Sequence, residues 1–388
     1  MLKKVTFLLT ITLLSACTGR GDSSNNNSDN NTLEYNNNNT PIGWVLVGEA
    51  NISGAETASP ILKFYDHIPY VAFLDAPSST SKIRVMKYVA ATDTWEDVGG
   101  SGFSAGSSKL AFEINSSNGD LYVAYSDGTA AGKLTVRKFD GASWSDVGGV
   151  TGISNDAVEH VAITIKSGTT PYVAYYDTDV GTAAVVIQKY TGGSWSVVTG
   201  GLAEDADAVS LASDTNNVYL ATVITSSGLI NIKQYNASDT ESSIAYPVAN
   251  QAKDLSIFVK GNYLYVTNID LDNADKVALR RYNTTSPAWS NVGASAYISD
   301  GAAGVPSLYV ESNGVSDDVA YVAYQDQTVS NKASVKVCMD NAIIDCADLG
   351  ELGFSSTAIT NISASYDDDH PYVTYVDTTT NGIEIRKY

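Results

Sequence analysis

Seven times along this chain a nearly continuous apolar run closes on a fixed pattern. It reads PYVAFLD at Pro69–Asp75, LYVAYSD at Leu121–Asp127 and PYVAYYD at Pro171–Asp177. It recurs as VYLATVI at Val218–Ile224, LYVTNID at Leu264–Asp270, AYVAYQD at Ala320–Asp326 and PYVTYVD at Pro371–Asp377. The tyrosines Tyr70, Tyr122, Tyr172, Tyr219, Tyr265, Tyr321 and Tyr372 are spaced 52, 50, 47, 46, 56 and 51 residues apart. A period of that length marks a repeat architecture, each unit one supersecondary element. Every copy keeps the same neighbours. An alternating segment such as Leu110–Ile114 precedes it. A segment ending basic-aromatic follows, as at Lys87-Tyr88, Lys138-Phe139, Lys189-Tyr190, Arg281-Tyr282 and Lys387-Tyr388. Last comes Trp with a Val-Gly ending, as at Trp95…Gly99 and Trp144…Gly148.

Period-two alternation, β-branched and aromatic residues, and Gly/Asn/Asp punctuation make all four segments strands. The second is apolar throughout, so both its faces are covered. The fourth is shorter and more polar, as an outer edge is. Four antiparallel strands of graded burial, repeated around an axis, predict an all-β fold, a β-propeller. An isolated fourth strand opens the domain at Trp44–Gly48, and the chain stops at Tyr388 after a third. Six whole units and one split unit predict seven blades, closed by Trp44–Gly48 pairing with Ile383–Tyr388.

The sequence LYVAYSDG…LTVRKFDGASWSDVG resembles a kelch repeat in its order of strand, turn, strand ending in an aromatic, short turn and Trp. The resemblance spans about residues 42–388. It departs where kelch repeats carry paired glycines: Ala72, Ala124, Ala174 and Ala323 stand in that strand. The units also resemble tandem PYVAY.D…KY.G..W..VG repeats of secreted bacterial proteins. The kelch resemblance implies a propeller, a fold that includes binding scaffolds and an oxidase.

The N-terminus reads MLKKVTFLLTITLLSAC. Lys3 and Lys4 precede an apolar run, Val5 to Leu14, too short to span a bilayer. Leu14-Ser15-Ala16-Cys17 resembles a bacterial lipobox, which implies a cleaved signal at 1–16 and acylation of Cys17. Residues 17–40 follow as an Asn/Ser-rich stretch with too little apolar surface to order itself, a tether. The propeller occupies 41–388. The expected address is the bacterial cell envelope, lipid-anchored at the outer membrane or cell surface.

Charge narrows the function. Lys and Arg number 23 against 43 Asp and Glu, a net charge of −20. Nucleic-acid binding needs the opposite sign. With 3 His in the whole chain, acid–base and metal chemistry has few carriers. G-x-S-x-G, phosphate-loop and H-E-x-x-H motifs are absent. Asp75, Asp127, Asp177, Asp270, Asp326 and Asp377 end the second strand in six blades, with Ile224 in the remaining one. The turns after them should share a face with inter-blade loops carrying Glu56, Asp156, Asp205, Asp207, Asp254 and Asp300. Two readings stay open: a face for a cation or polar ligand, or Asx-turns in which each carboxylate accepts its own turn amides. EF-hand spacing is missing, so no cofactor is expected, with calcium on the acidic face left as an option. His67 and His370 fall in turns of blades one and seven near Asp66 and Asp367–Asp369, and His160 opens a first strand toward the channel. Cys346 stands where other blades have Trp, and Cys338 near the Lys-Tyr position. Export permits a disulfide between them.

The expectation is a monomeric, non-enzymatic scaffold binding a protein or glycan. The alternative is a propeller lyase or hydrolase using acidic residues at one face of the channel.

Overall fold

The computed structural model describes residues 34–35, 41–54, 56–76, 80–178, 184–202, 205–312, 318–339 and 346–388. Cys17 and the lipobox lie outside the described residues. Within the stretch read as a tether, Glu34–Tyr35 pairs antiparallel with Pro41–Ile42.

Seven four-stranded antiparallel sheets form the ring. In blade one the strands are Thr57–Tyr65, Ile68–Asp75, Lys82–Val89 and Thr94–Asp97, from the axis outward. Blade seven has Ile359–Asp367, His370–Asp377 and Ile383–Lys387, and its fourth strand is Val45–Leu46 from the other end of the domain. Val45 faces Lys387 and Leu46 faces Arg386, so the expected closure holds. The Val47 amide extends it with a 2.9 Å bond to the Ile385 carbonyl. The chain is therefore a seven-bladed β-propeller.

The repeated residues account for the ring. Every residue of Leu121–Asp127 is buried, as a strand covered on both faces requires. The sheets meet face to face in seven separate apolar clusters, one per neighbouring pair of blades. Burial at about 25 cal/mol per Å² makes these contacts the main source of stability.

Trp does a second job, between blades. Its indole N–H donates to the carbonyl of the residue just past the outer strand of the preceding blade. Trp95 reaches Val47 at 2.9 Å, Trp144 reaches Val98 at 2.8 Å and Trp195 reaches Val147 at 2.9 Å. Trp44 makes the same bond to Leu349 at 3.0 Å, joining blade seven to blade six. The Val-Gly ending is the socket. Gly99 has φ +72°, and a Cβ there would lie 2.6 Å from Trp144 Cδ1. Glycine is needed for both the backbone and the space.

One departure concerns the outer strands. That of blade three, Ser194–Leu202, runs nine residues with two register shifts, longer than the short edge expected.

Candidate functional site

The turns after the second strands and the loops entering the first strands share one face, as expected. Backbone bonds tie them together: Ala76 N to Glu56 O at 2.8 Å, Thr225 N to Asp205 O at 3.0 Å and Thr378 N to Ala358 O at 3.1 Å.

The aspartates ending the second strands sit at this face with their carboxylates mostly turned into the turns. Asp127 Oδ1 accepts from the Thr129 amide at 2.9 Å and its hydroxyl at 2.7 Å. Asp326 takes the same two groups from Thr328. Asp377 Oδ1 accepts the amides of Thr379 and Thr380. Asp270 accepts the Asp272 amide, Asn250 Nδ2 and the Tyr297 hydroxyl. Asp177 accepts the Asn155 amide at 3.1 Å. These five are buried. Burial alone would raise the carboxyls of Asp270 and Asp377, but their hydrogen bonds outweigh it and hold both below the ordinary carboxylate value. Asp75 differs, half-buried with Oδ2 3.9 Å from Arg84. In blade four, where Ile224 stands, the Gly228 amide closes the turn on the Ile224 carbonyl at 2.7 Å. The geometry of these carboxylates is that of turn caps.

The same face holds a feature that spacing did not reveal. All seven innermost strands carry a β-bulge near their start. At six of the seven a non-glycine residue takes positive φ: Ser59 (53°), Lys109 (45°), His160 (49°), Asp254 (48°), Val305 (42°) and Asn361 (47°). Asp207 is the bulge residue of blade four. A bulge leaves one residue unpaired and re-aims its side chain. All seven line one cavity of about 550 Å³ on the axis. Asp207 and Asp254 thus belong to the innermost strands Ala206–Ser213 and Ala252–Lys260 rather than to inter-blade loops, which corrects the sequence reading. The left-handed region favours Asn, Asp and His, so the backbone alone accounts for Asn361, Asp254 and His160. It does not account for Lys109 or for β-branched Val305, which occupy it at a conformational cost.

Electrostatics around the cavity are uneven. Lys109 Nζ pairs with Glu159 at 2.5 Å across the blade two–three boundary. Deeper in, Lys63 pairs with Glu113 at 2.9 Å. Burial and the nearby Lys109 cation hold the His160 imidazole below its ordinary value, although Glu159 and Asp207 pull upward. Asp207 accepts the Thr225 hydroxyl at 2.8 Å, and Asp254 lies 3.5 Å from the Val305 amide. Neither has an ion-pair partner among the described residues.

The other two histidines sit at the opposite end of the ring. His67 Nδ1 lies 3.1 Å from Asp367 Oδ2, and His370 Nδ1 lies 2.9 Å from the Tyr388 carbonyl. Among the described residues no group of three or more His, Cys, Asp or Glu is placed to hold a metal ion. Cys338 and Cys346 are at disulfide distance, S–S 2.02 Å and Cα–Cα 4.3 Å. The connecting turn, Asp340–Asp345, lies outside the described residues. Cys346 Sγ sits 3.8 Å from the Val292 carbonyl, the place a Trp nitrogen takes in other blades. A bonded sulfur has no proton to donate, so it fills that slot without the hydrogen bond.

No family model and no curated protein sequence matches the chain. Solved structures do. The SapL1 lectin, in complex with α-methyl fucoside, is 11% identical with a TM-score of 0.52, over 79% of this chain and 100% of that one. An arginine-to-alanine mutant of AofleA from Arthrobotrys oligospora is 12% identical with a TM-score of 0.50, over 82% and 93%. A prolyl endopeptidase is 12% identical with a TM-score of 0.54, over 87% of this chain and 50% of that one, so the chain spans half its length. These likenesses are of fold, the β-propeller.

Proposed function

We propose that this propeller is a non-enzymatic scaffold that binds a protein or glycan at the bulged end of its channel. The carrying observation is where the blades agree and where they differ. The repeated Trp, Gly and Asp residues are engaged in sockets and turn caps. The bulge recurs in every blade, with positive φ in six of the seven, while its residue changes, from Ser59 through Lys109, His160, Asp207, Asp254 and Val305 to Asn361. A cavity of about 550 Å³ falls in the ordinary range for small-ligand sites. SapL1 is a lectin seen in complex with α-methyl fucoside, whereas the other match is to half the length of a prolyl endopeptidase, so the fold permits either role and the site must decide. We also propose that the repeats are kelch-like and that acylated Cys17 holds the chain in the bacterial envelope. In that case Cys17→Ser moves the protein from the membrane fraction to the soluble one, and an unchanged distribution excludes the anchor.

One observation favours the alternative, a lyase or hydrolase. His160 is held toward its neutral form in the cavity that Asp207 shares, a pairing suited to proton transfer. A single screen separates the two. The purified chain is presented to glycans and envelope proteins, with and without calcium, and bound material is analysed by mass. Recovery of an unaltered ligand supports the scaffold. Recovery of a cleaved one, lost with His160→Asn, supports the enzyme and overturns the scaffold.

A further inference from the structure

The cavity's charges do not cancel. Its two lysines are each spoken for, Lys63 by Glu113 and Lys109 by Glu159. His160 is biased toward the uncharged state by burial and by Lys109. What remains is a pair of carboxylates on adjacent blades, Asp207 and Asp254, each with a neutral hydrogen-bond neighbour and no cation among the described residues. Across the mouth stand Ser59 and Asn361, and next to Asp207 on the adjoining blade is the His160 ring, neutral groups able to donate and accept. Below them Ile61, Val161 and Leu255 give the channel apolar walls. A ligand matching this surface carries a positive charge on one side and hydroxyls on the other. A simple metal cation would leave the neutral donors unused, and an acidic ligand would meet the carboxylates.

We infer that the bulged mouth recognises a saccharide bearing a free, protonated amine, with Asp207 and Asp254 receiving the ammonium and Asn361, Ser59 and His160 reading hydroxyls. This rests on the scaffold reading and names its ligand class. Charge-assisted bonds to an ammonium are the strong ones in such a site. An acetylated amine would lose both the charge and two of its donors.

The test is titration calorimetry of the full chain with a glucosamine trisaccharide and its N-acetylated counterpart. The free-amine sugar should bind about tenfold tighter or more. The double variant Asp207→Asn, Asp254→Asn should lose that preference. Asn keeps the shape of Asp and tolerates the left-handed backbone at 254, so an unchanged melting temperature shows that the fold is intact. Glu96→Gln, an exposed outer-strand carboxylate, should leave affinity as it was. That control matters because the chain carries a net charge of −20 and attracts any cation weakly. Equal affinity for the two sugars, or a preference that survives in the double variant, overturns the inference. A neutral glycan or a protein that binds wild type and double variant alike would overturn it while leaving the scaffold intact. Cleavage of the trisaccharide would instead overturn the scaffold reading.

Discussion

Replacing Gly99 with Ala probes the contact that links one blade to the next. The added Cβ would lie 2.6 Å from Trp144 Cδ1, 2.7 Å from Nε1 and 2.9 Å from Phe139 Cε2. The indole has little room to withdraw, because Phe103 packs against it at 4.9 Å and Phe139 at 5.4 Å. Three costs follow. Holding Ala at φ +72° costs roughly 1–2 kcal/mol. Overpacking adds about 1–3 kcal/mol. Displacing Trp144 strains its bond to Val98, about 1 kcal/mol. Gly54 supplies the reference, since it has nearly the same φ, +69°, and nothing within 4 Å of a new Cβ. Gly54→Ala incurs only the backbone cost. In urea unfolding followed by tryptophan fluorescence, Gly99→Ala should be less stable than Gly54→Ala by about 2–4 kcal/mol. Adding Trp144→Leu should recover part of that difference, as coupled sites do. Equal losses in the two glycine variants, or no coupling to Trp144, would refute the socket.

Closure is tested by Trp44→Ala, which removes a buried indole at the blade six–seven boundary and should cost about 3–5 kcal/mol; a change below about 1 kcal/mol would mean the ring closes by other contacts. The cysteine pair should leave no alkylatable thiol at Cys338 or Cys346 in unreduced, denatured protein, read by peptide mass; two modified thiols would exclude the bond. His67 and His160 should titrate on opposite sides of 6.5 by NMR: His67 above it, because its hydrogen bond to Asp367 favours the imidazolium, and His160 below it, because burial disfavours the charge. The signs give opposite linkage. The His67 pair stabilises below pH 6.5 and fades as pH rises through its raised value, whereas His160 costs stability as pH falls below 6.5 toward its lowered one. Asp367→Asn should return His67 toward 6.5, and an unmoved midpoint would contradict the pairing.

The fold was legible because the constraints that build a blade repeat in every blade. Tyr70 and its six counterparts mark strands buried on both faces, and the orphan strand at Trp44 told how the ring closes. Cys346 was legible as a Trp replacement for the same reason. The inter-blade socket was half visible: Trp and Val-Gly sit together in sequence, but Trp144 contacts Gly99 of the blade before, not its own Gly148. The bulges left no mark at all. They are a backbone event, residues as different as Val305, Lys109 and Asn361 occupy them, and the alternation that marks the strand, as at Leu110–Ile114, begins only after the bulge. For that reason Asp207 and Asp254 looked like loop acids. The strand-ending aspartates drew attention through their repetition, yet repetition is what a turn cap produces.

Amide hydrogen exchange with and without a ligand recovered from the binding screen tests the central claim most directly. Binding at the bulged mouth predicts added protection in peptides spanning 57–62, 108–112, 158–163, 206–211, 252–257, 303–308 and 359–364. The outer strands, such as Thr94–Asp97 and Ala288–Asn291, should exchange as before. Protection confined to the outer strands or to the opposite end of the ring would contradict the account.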